Sequence, residues 1–396
     1  MALVLTALPS LERAVPRQSV WSAGRAGVSG SKSETAAAEP ELAKLLSRRG
    51  SAVVRHDRSG YAATQVARAR TPAVTRLVAL PWVRWSYAIT GVVAGPSADE
   101  LVVEADLGTR LRGETTDAVT RERIVVRRSG ATWRVSSESA TQGVPLWDLG
   151  ALTWWSGRRV LVVGIGVGTG TLRAFGAIAD RVVPDVVSVW GRDWSQRAVV
   201  LVPSSQALLA RALGQEPSSL EGFAAVTTTG GGAAGPLRVW TNTPSFSTLS
   251  DLGREVVLRH EITHVASDAP ASTTTPVWLE EGFAEFVGYR GSGIPQPVAL
   301  ADLVRAARAG RPLHAAPAYA DFHGPDVAVS YEAAELACAL VAERAGTPGL
   351  VRFYRLTAAG TGTPDANAAA ALHAVTGWRM SAFDRLWRAR VARLAG

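Results

Sequence analysis

The sequence predicts an α+β protein built in two parts. A helical spacing just after residue 40 gives way to β-branched and aromatic runs, apolar runs separated by glycine turns come next, and the period is helical from about Val327 onward. The expected order is an N-terminal cone-like unit, a helix on a curved antiparallel sheet, followed by a small mixed sheet, a helix with paired histidines and a C-terminal helical bundle. At 396 residues the chain has room for two or three domains.

Residues 12–39 are rich in Ser, Gly, Ala and charge without an apolar period, so 1–39 reads as a disordered arm. Its opening, MALVLTALPSL, is apolar but has no basic residues before it, which makes a poor signal peptide. It equally suits the remnant of a membrane anchor that begins upstream of Met1. Folded structure is expected from Pro40. The stretch PELAKLLSRRGSAVVRH spaces Leu42, Leu45, Leu46, Val53 and Val54 as a helix with Pro40 near its start. WVRWSYAITGVVAG, ELVVEADLGTRLRG, VTRERIVVRRSG and TWRVSSESA read as strands, with Ser129 and Gly130 at a hairpin turn between the last two. Residues 40–150 therefore form an α+β accessory domain, whose shape resembles the nuclear-transport-factor and SnoaL-type cones.

The remainder, 151–396, forms the second domain. Gly164, Gly166, Gly168 and Gly170 alternate, but no GKS/T follows and the GxGxxG spacing is absent, so a strand-turn-helix junction is expected rather than a phosphate loop. Residues 171–190 read as helix on both sides of Pro184, AVVLVP as a buried strand, and SSQALLARALG as a helix opened by Ser204 or Ser205. AAVTTTGGGAAGPLRVWTN supplies two strands around a glycine turn, and LRVWTN is the segment expected to pair with an extended peptide. SYEAAELACALVAERAG, PGLVRFYRLTAAG, DANAAAALHAVTG and MSAFDRLWRARVARLA are helical, each stopping at or near a glycine.

Composition narrows the function. The hydrophobic share of 47% with 19% charged residues is that of a folded chain. The net charge of +8 is almost wholly arginine, Lys32 and Lys44 being the only lysines, and the arginines are scattered in isolated pairs without interleaved aromatics. That pattern argues against a nucleic-acid partner and leaves a generic attraction to anionic lipid or cell-wall polymer. The single cysteine, Cys338, excludes an intrachain disulfide and a Cys-rich zinc site, and it suits a buried helix position. No apolar run reaches the roughly 18 residues that span a bilayer. Trp82, Trp85, Trp133, Trp240 and Trp278 fall in strand or helix patterns and read as core, and the lone histidines His56, His314, His323 and His373 read as structural groups.

The chemistry concentrates in VLRHEITHVAS. On a helix His260 and His264, four apart, lie on one face and can offer two imidazole nitrogens to one metal ion. Glu261 is rotated about 100° from His260, so it is free to act as a base beside the metal. The pentapeptide alone is a common coincidence and needs a third ligand. VWLEEGFAEF follows, with Glu281 and Glu285 on one helical face. Glu281 would complete a His₂Glu set around Zn²⁺, leaving the fourth position open, and Glu285 would accept the outer N–H of a ligand histidine. Glu280 is expected to point into solvent.

HEITH, with sixteen residues between it and Glu281 of WLEEGFAEF, resembles the HExxH…WLxEGxAE pattern of gluzincin metallopeptidases, specifically the peptidase-MA-like group of actinobacterial proteins. The resemblance covers roughly residues 185–396. It implies a gluzincin domain, zinc held by His260, His264 and Glu281, and Glu261 as general base and acid in peptide-bond hydrolysis. It also implies a downstream group that stabilises the oxyanion: Tyr331 matches the tyrosine before the bundle helix, with His323 as the second choice. The GAMEN-type segment of the aminopeptidase branch is missing. The expected partner is a peptide or protein substrate and the expected location the cell envelope or outside, with the cytoplasm left open. The alternative is a zinc-binding envelope scaffold with little turnover, against which an intact Glu261 argues.

Overall fold

Two five-stranded sheets organise the described residues, and the second is a middle layer buried on both faces. The computed structural model describes residues 32–396 apart from 233, so the expected arm and anchor remnant at 1–31 lie outside the described residues. The accessory region runs α1 (Lys32–Val54), α2 (Arg58–Ala63), β1 (Gln65–Arg70), α3 (Val74–Leu77), β2 (Trp82–Ala94), β3 (Glu100–Leu111), β4 (Ala118–Ser129) and β5 (Thr132–Ala140). Its sheet order is β1-β5-β4-β3-β2, antiparallel except for the parallel β1–β5 pair. Register shifts in β2–β3 and β4–β5 mark bulges, which bend the sheet. Helix α1 packs Leu42, Leu45 and Leu46 onto Val103, Ala105, Ile124 and Val135.

Two details of this region depart from expectation. Helix α1 begins at Lys32, so residues 32–39 are helical and Pro40 lies in the helix interior. The three alanines at 36–38 are strong helix formers, Ala38 is buried, and the proline removes one internal hydrogen bond that the flanking turns outweigh. Strand β1 was not legible, because QVARAR is short, arginine-rich and without a buried residue, an edge strand held by its neighbour.

The second region runs β6 (Leu152–Ser156), β7 (Val160–Ile165), α4 (Thr169–Trp190), β8 (Ala198–Pro203), α5 (Gln206–Leu213), β9 (Ala225–Thr229), β10 (Leu237–Thr241), α6 (Thr243–Thr248), α7 (Asp251–Ser267) and α8 (Val277–Tyr289). Then come α9 (Gln296–Ala299), α10 (Ala301–Arg308), α11 (Val327–Ala358), α12 (Pro364–Thr376) and α13 (Met380–Ala395). The sheet order is β6-β7-β8-β10-β9, mixed parallel and antiparallel. The glycine run forms the β7–α4 junction, with Gly166 at φ +73°.

Strand residues alternate between two cores, which is why these strands read as unbroken apolar runs. Val160, Val162, Val200, Val202 and Val239 face α4, α7 and the bundle. Leu161, Val163, Leu201, Val226 and Trp240 face Leu77, Trp82, Trp85 and Leu107 of the accessory region. The accessory region therefore shares a core with the second sheet. Trp82, Trp85, Trp133, Trp240, Trp278 and Cys338 are all buried, as expected. Among the described residues no helix is long and apolar enough to cross a membrane. The α+β class predicted from sequence is the class observed.

Candidate metal centre

Helix α7 starts where Ser250 accepts from the Gly253 N–H and stops at Asp268, whose left-handed backbone (φ 56°) returns its N–H to the His264 carbonyl. Val256, Val257, Leu258 and Ile262 pack it into the core with α4 and the sheet, and every residue from Val256 to His264 is buried. Arg259 ties it to its neighbours, with Nε 3.1 Å from Asp185 Oδ2 and a nitrogen 2.7 Å from the Gly288 carbonyl.

Two glycines of α8 set how near it comes. A Cβ at Gly288 would lie 3.3 Å from the Val256 carbonyl and 3.4 Å from His260 Cβ, so α7 and α8 meet almost backbone to backbone. A Cβ at Gly282 would collide with the Ala334 carbonyl of α11. Glu281 and Glu285 are thereby carried against the histidines, and Tyr331 of α11 is brought over the same point.

The three candidate donor atoms form a nearly equilateral triangle. His260 Nε2 and His264 Nε2 are 3.0 Å apart, and Glu281 Oε2 is 3.2 Å from the second and 3.3 Å from the first. Neighbouring ligand atoms around tetrahedral zinc, at about 2.0–2.1 Å from the ion, are separated by about 3.3 Å. The triangle and the two-nitrogen, one-oxygen donor set could hold a metal ion, with spacings compatible with tetrahedral zinc. Among the described residues it is the one cluster of three His, Cys, Asp or Glu with donor atoms this close.

The surroundings match as well. His260 Nδ1 faces Glu285 Oε1 at 3.5 Å, and neither atom has a closer protein partner. That places Glu285 where the outer nitrogen of a ligand histidine is held. Burial raises the Glu281 pKa, but the charge of His264 and hydrogen bonds from both imidazoles outweigh it and hold the carboxyl down to about 2. Burial likewise lowers His264, and the charge and hydrogen bond of Glu281 outweigh it, raising the imidazole to about 9. Glu285 is pushed well above the carboxylate range by burial, with the neighbouring Glu281 adding to it.

Glu261 is buried in the same wall and accepts from Thr227 Oγ1 of β9, 2.6 Å from its Oε2. Burial raises its pKa, with His260, His264 and Thr227 opposing. Tyr331 stands beside the pair, its ring centroid 6.2 Å from that of His260, and burial, then the charge of Glu281, pushes its hydroxyl pKa up. Phe322 packs edge-on against the Tyr331 ring at 5.3 Å. The whole group is enclosed: His260, Glu261, His264, Glu281 and Tyr331 are 2%, 1%, 5%, 2% and 1% exposed.

Three expectations are corrected. Glu280 is buried, because α8 is covered on nearly every side, and it acts electrostatically on Tyr354 and His264. His323 is exposed, with Nδ1 2.9 Å from the Tyr319 carbonyl and its ring on that of Tyr319, so its contacts belong to the surface. LRVWTN is not an available edge: β10 lies between β8 and β9, and the edge strand is β9. Thr227 was missed altogether, its only sequence signal being a threonine run in an otherwise apolar strand.

No protein-family model and no curated protein matches the sequence. Among solved structures, similarity is found to a Mycobacterium tuberculosis protein of unknown function, Rv3472, at 11% identity and TM-score 0.24, covering 31% of this chain and 81% of that one. Bd1075 of Bdellovibrio bacteriovorus is similar at 14% identity and TM-score 0.22, covering 28% of this chain and 42% of its own.

Proposed function

We propose that the chain is a zinc-dependent peptide hydrolase of the gluzincin, peptidase-MA-like type. The observation that carries this reading is the triangle of His260 Nε2, His264 Nε2 and Glu281 Oε2, with sides of 3.0–3.3 Å, beside a buried Glu261. Zinc bound there would supply Lewis acidity for attack on a peptide carbonyl. Glu261 takes the proton of the attacking water and returns it to the leaving amine. Glu285 orients His260, and the Tyr331 hydroxyl, beside the same carboxylate ligand, is the donor nearest to hand for a developing oxyanion. An extended substrate would add to the outer side of β9. Arginine-rich charge favours work at an anionic envelope surface. Glu261→Gln should keep zinc and lose at least about two orders of magnitude in rate; a variant that cleaves peptides like the wild type would remove the mechanism.

One observation favours a second reading, a zinc-binding scaffold with little turnover: the five site residues are no more than 5% exposed, so a peptide must open the site to reach it. Zinc by elemental analysis together with a mixed peptide library, with and without chelator, separates the two. Stoichiometric zinc without chelator-sensitive cleavage selects the scaffold.

A further inference from the structure

The accessory region does more than share a core with the second sheet; it grips one particular hairpin. Arg238 of β10 points to the accessory side, between Leu237 and Val239, which face the other way. Its Nε is 2.6 Å and its outer nitrogen 3.2 Å from the two carboxylate oxygens of Glu114, in the β3–β4 turn. The side chains of this two-point pair are 8% and 2% exposed, so it is a buried ion pair. The β9–β10 turn is pinned at the same place. A Cβ at Gly231, whose φ is +79°, would lie 2.6 Å from the Val119 nitrogen of β4, so the turn rests directly on accessory backbone.

What the hairpin carries is the partner of Glu261. Across the β9–β10 ladder Arg238 stands opposite Thr228, and Val239 opposite Thr227. Side chains alternate along β9, so Thr228 shares the accessory side with Arg238 while Thr227 turns to α7. There its hydroxyl meets both Glu261 Oε2 at 2.6 Å and the Glu261 carbonyl at 3.1 Å. Two side-chain contacts joined by the backbone ladder thus link the accessory region to the carboxylate: Glu114 to Arg238, the β10–β9 pairing of Arg238 with Thr228, and Thr227 to Glu261.

We infer that the accessory region is a positioning device for Glu261, with the buried Glu114–Arg238 pair fixing the β9–β10 hairpin and Thr227 transmitting that position to the carboxylate. Thr227 and Glu114 are positioning residues in this scheme. Its kinetic consequence rests on Glu261 being the base; its structural consequence does not.

The test compares zinc-loaded, full-length Glu114→Gln, Thr227→Val and Thr227→Ser with the wild type by amide hydrogen exchange and steady-state peptide cleavage. Glu114→Gln should accelerate exchange in β9 and β10 at least about tenfold, leaving α12 and α13 unchanged, because a charged hydrogen bond is lost. It should also lower kcat about tenfold with KM within about twofold, as a displaced base does. Thr227→Val should reproduce the fall in kcat without faster hairpin exchange, and Thr227→Ser should recover the rate to within about twofold. Should Glu114→Gln not fold, Glu114→Asp keeps the charge, shortens the reach and must give faster hairpin exchange. Unchanged exchange in the Glu114 variant, or Thr227→Val turning over like the wild type, overturns the inference. If the wild type cleaves nothing, the hydrolase reading fails, and hairpin exchange alone decides whether the clamp exists.

Discussion

The imidazoles of His260 and His264 turn their Nε2 atoms to within 3.0 Å of each other, hydrogen-bonding distance, and both face the same carboxylate oxygen of Glu281. With Glu281 closing the triangle, the arrangement predicts one zinc per chain. Elemental analysis of wild type should find about one equivalent, and His264→Ala or Glu281→Gln should lower affinity enough to leave the purified protein nearly metal-free. Chelation should lower the melting temperature of the wild type and leave that of Glu281→Gln almost unmoved, since only a ligand that binds the native state stabilises it.

Helix α8 reaches the site because Gly282 lets α11 come close. Gly282→Ala places a methyl against the Ala334 carbonyl, a backbone atom that cannot swing aside. The expected cost is about 1–3 kcal/mol in denaturant unfolding, with weaker zinc binding because Glu281 adjoins the displaced residue. A variant with wild-type stability and zinc affinity would show that the helices are not in contact there.

Arg49 and Glu138 form a pair 2.6 Å apart inside the accessory region, with side-chain exposures of 0% and 3%. Glu138→Gln leaves the guanidinium buried among Thr64, Tyr61 and a neutral amide, so equilibrium unfolding should show a loss of about 3–5 kcal/mol. Replacing both residues by apolar side chains of similar volume should cost much less.

Glu122 supplies a pH dependence away from the metal site. Burial, then repulsion from Glu138 and Asp148, raises its pKa from the ordinary 4.5 to about 8. The folded chain therefore keeps a proton that the unfolded chain has released. The contribution to stability is fully present below about pH 4.5, declines as the pH rises, and is lost once the pH passes about 8. Urea midpoints measured across that window should fall with pH in the wild type and fall less steeply in Glu122→Gln.

Much of the fold was legible because local chemistry and final environment agree. The four long accessory strands carry alternating patterns, and Gly130 sits at the predicted hairpin turn with φ +63°. Ser205 caps α5 as its place before QALLARAL suggests. Segments whose structure depends on a neighbour were not legible. Strand β1 exists only beside β5, and QPVA and ADLVRAAR become α9 and α10, α10 packing on α11 and α13 and α9 lying against α10.

The sequence by itself determined the metal-binding candidates, because spacing on a helix is a local property: His260, Glu261 and His264 hold their relation wherever α7 goes, and Glu281 and Glu285 hold theirs on α8. Only the tertiary structure decided which carboxylates face the histidines, that Glu280 is buried, that β9 rather than β10 is the edge, and that Thr227 meets Glu261. Those facts depend on strand order, on which side of a doubly covered sheet each residue faces, and on two glycines that let three helices close. None of these is encoded in any single window of sequence, since each is fixed by contacts between residues tens of positions apart.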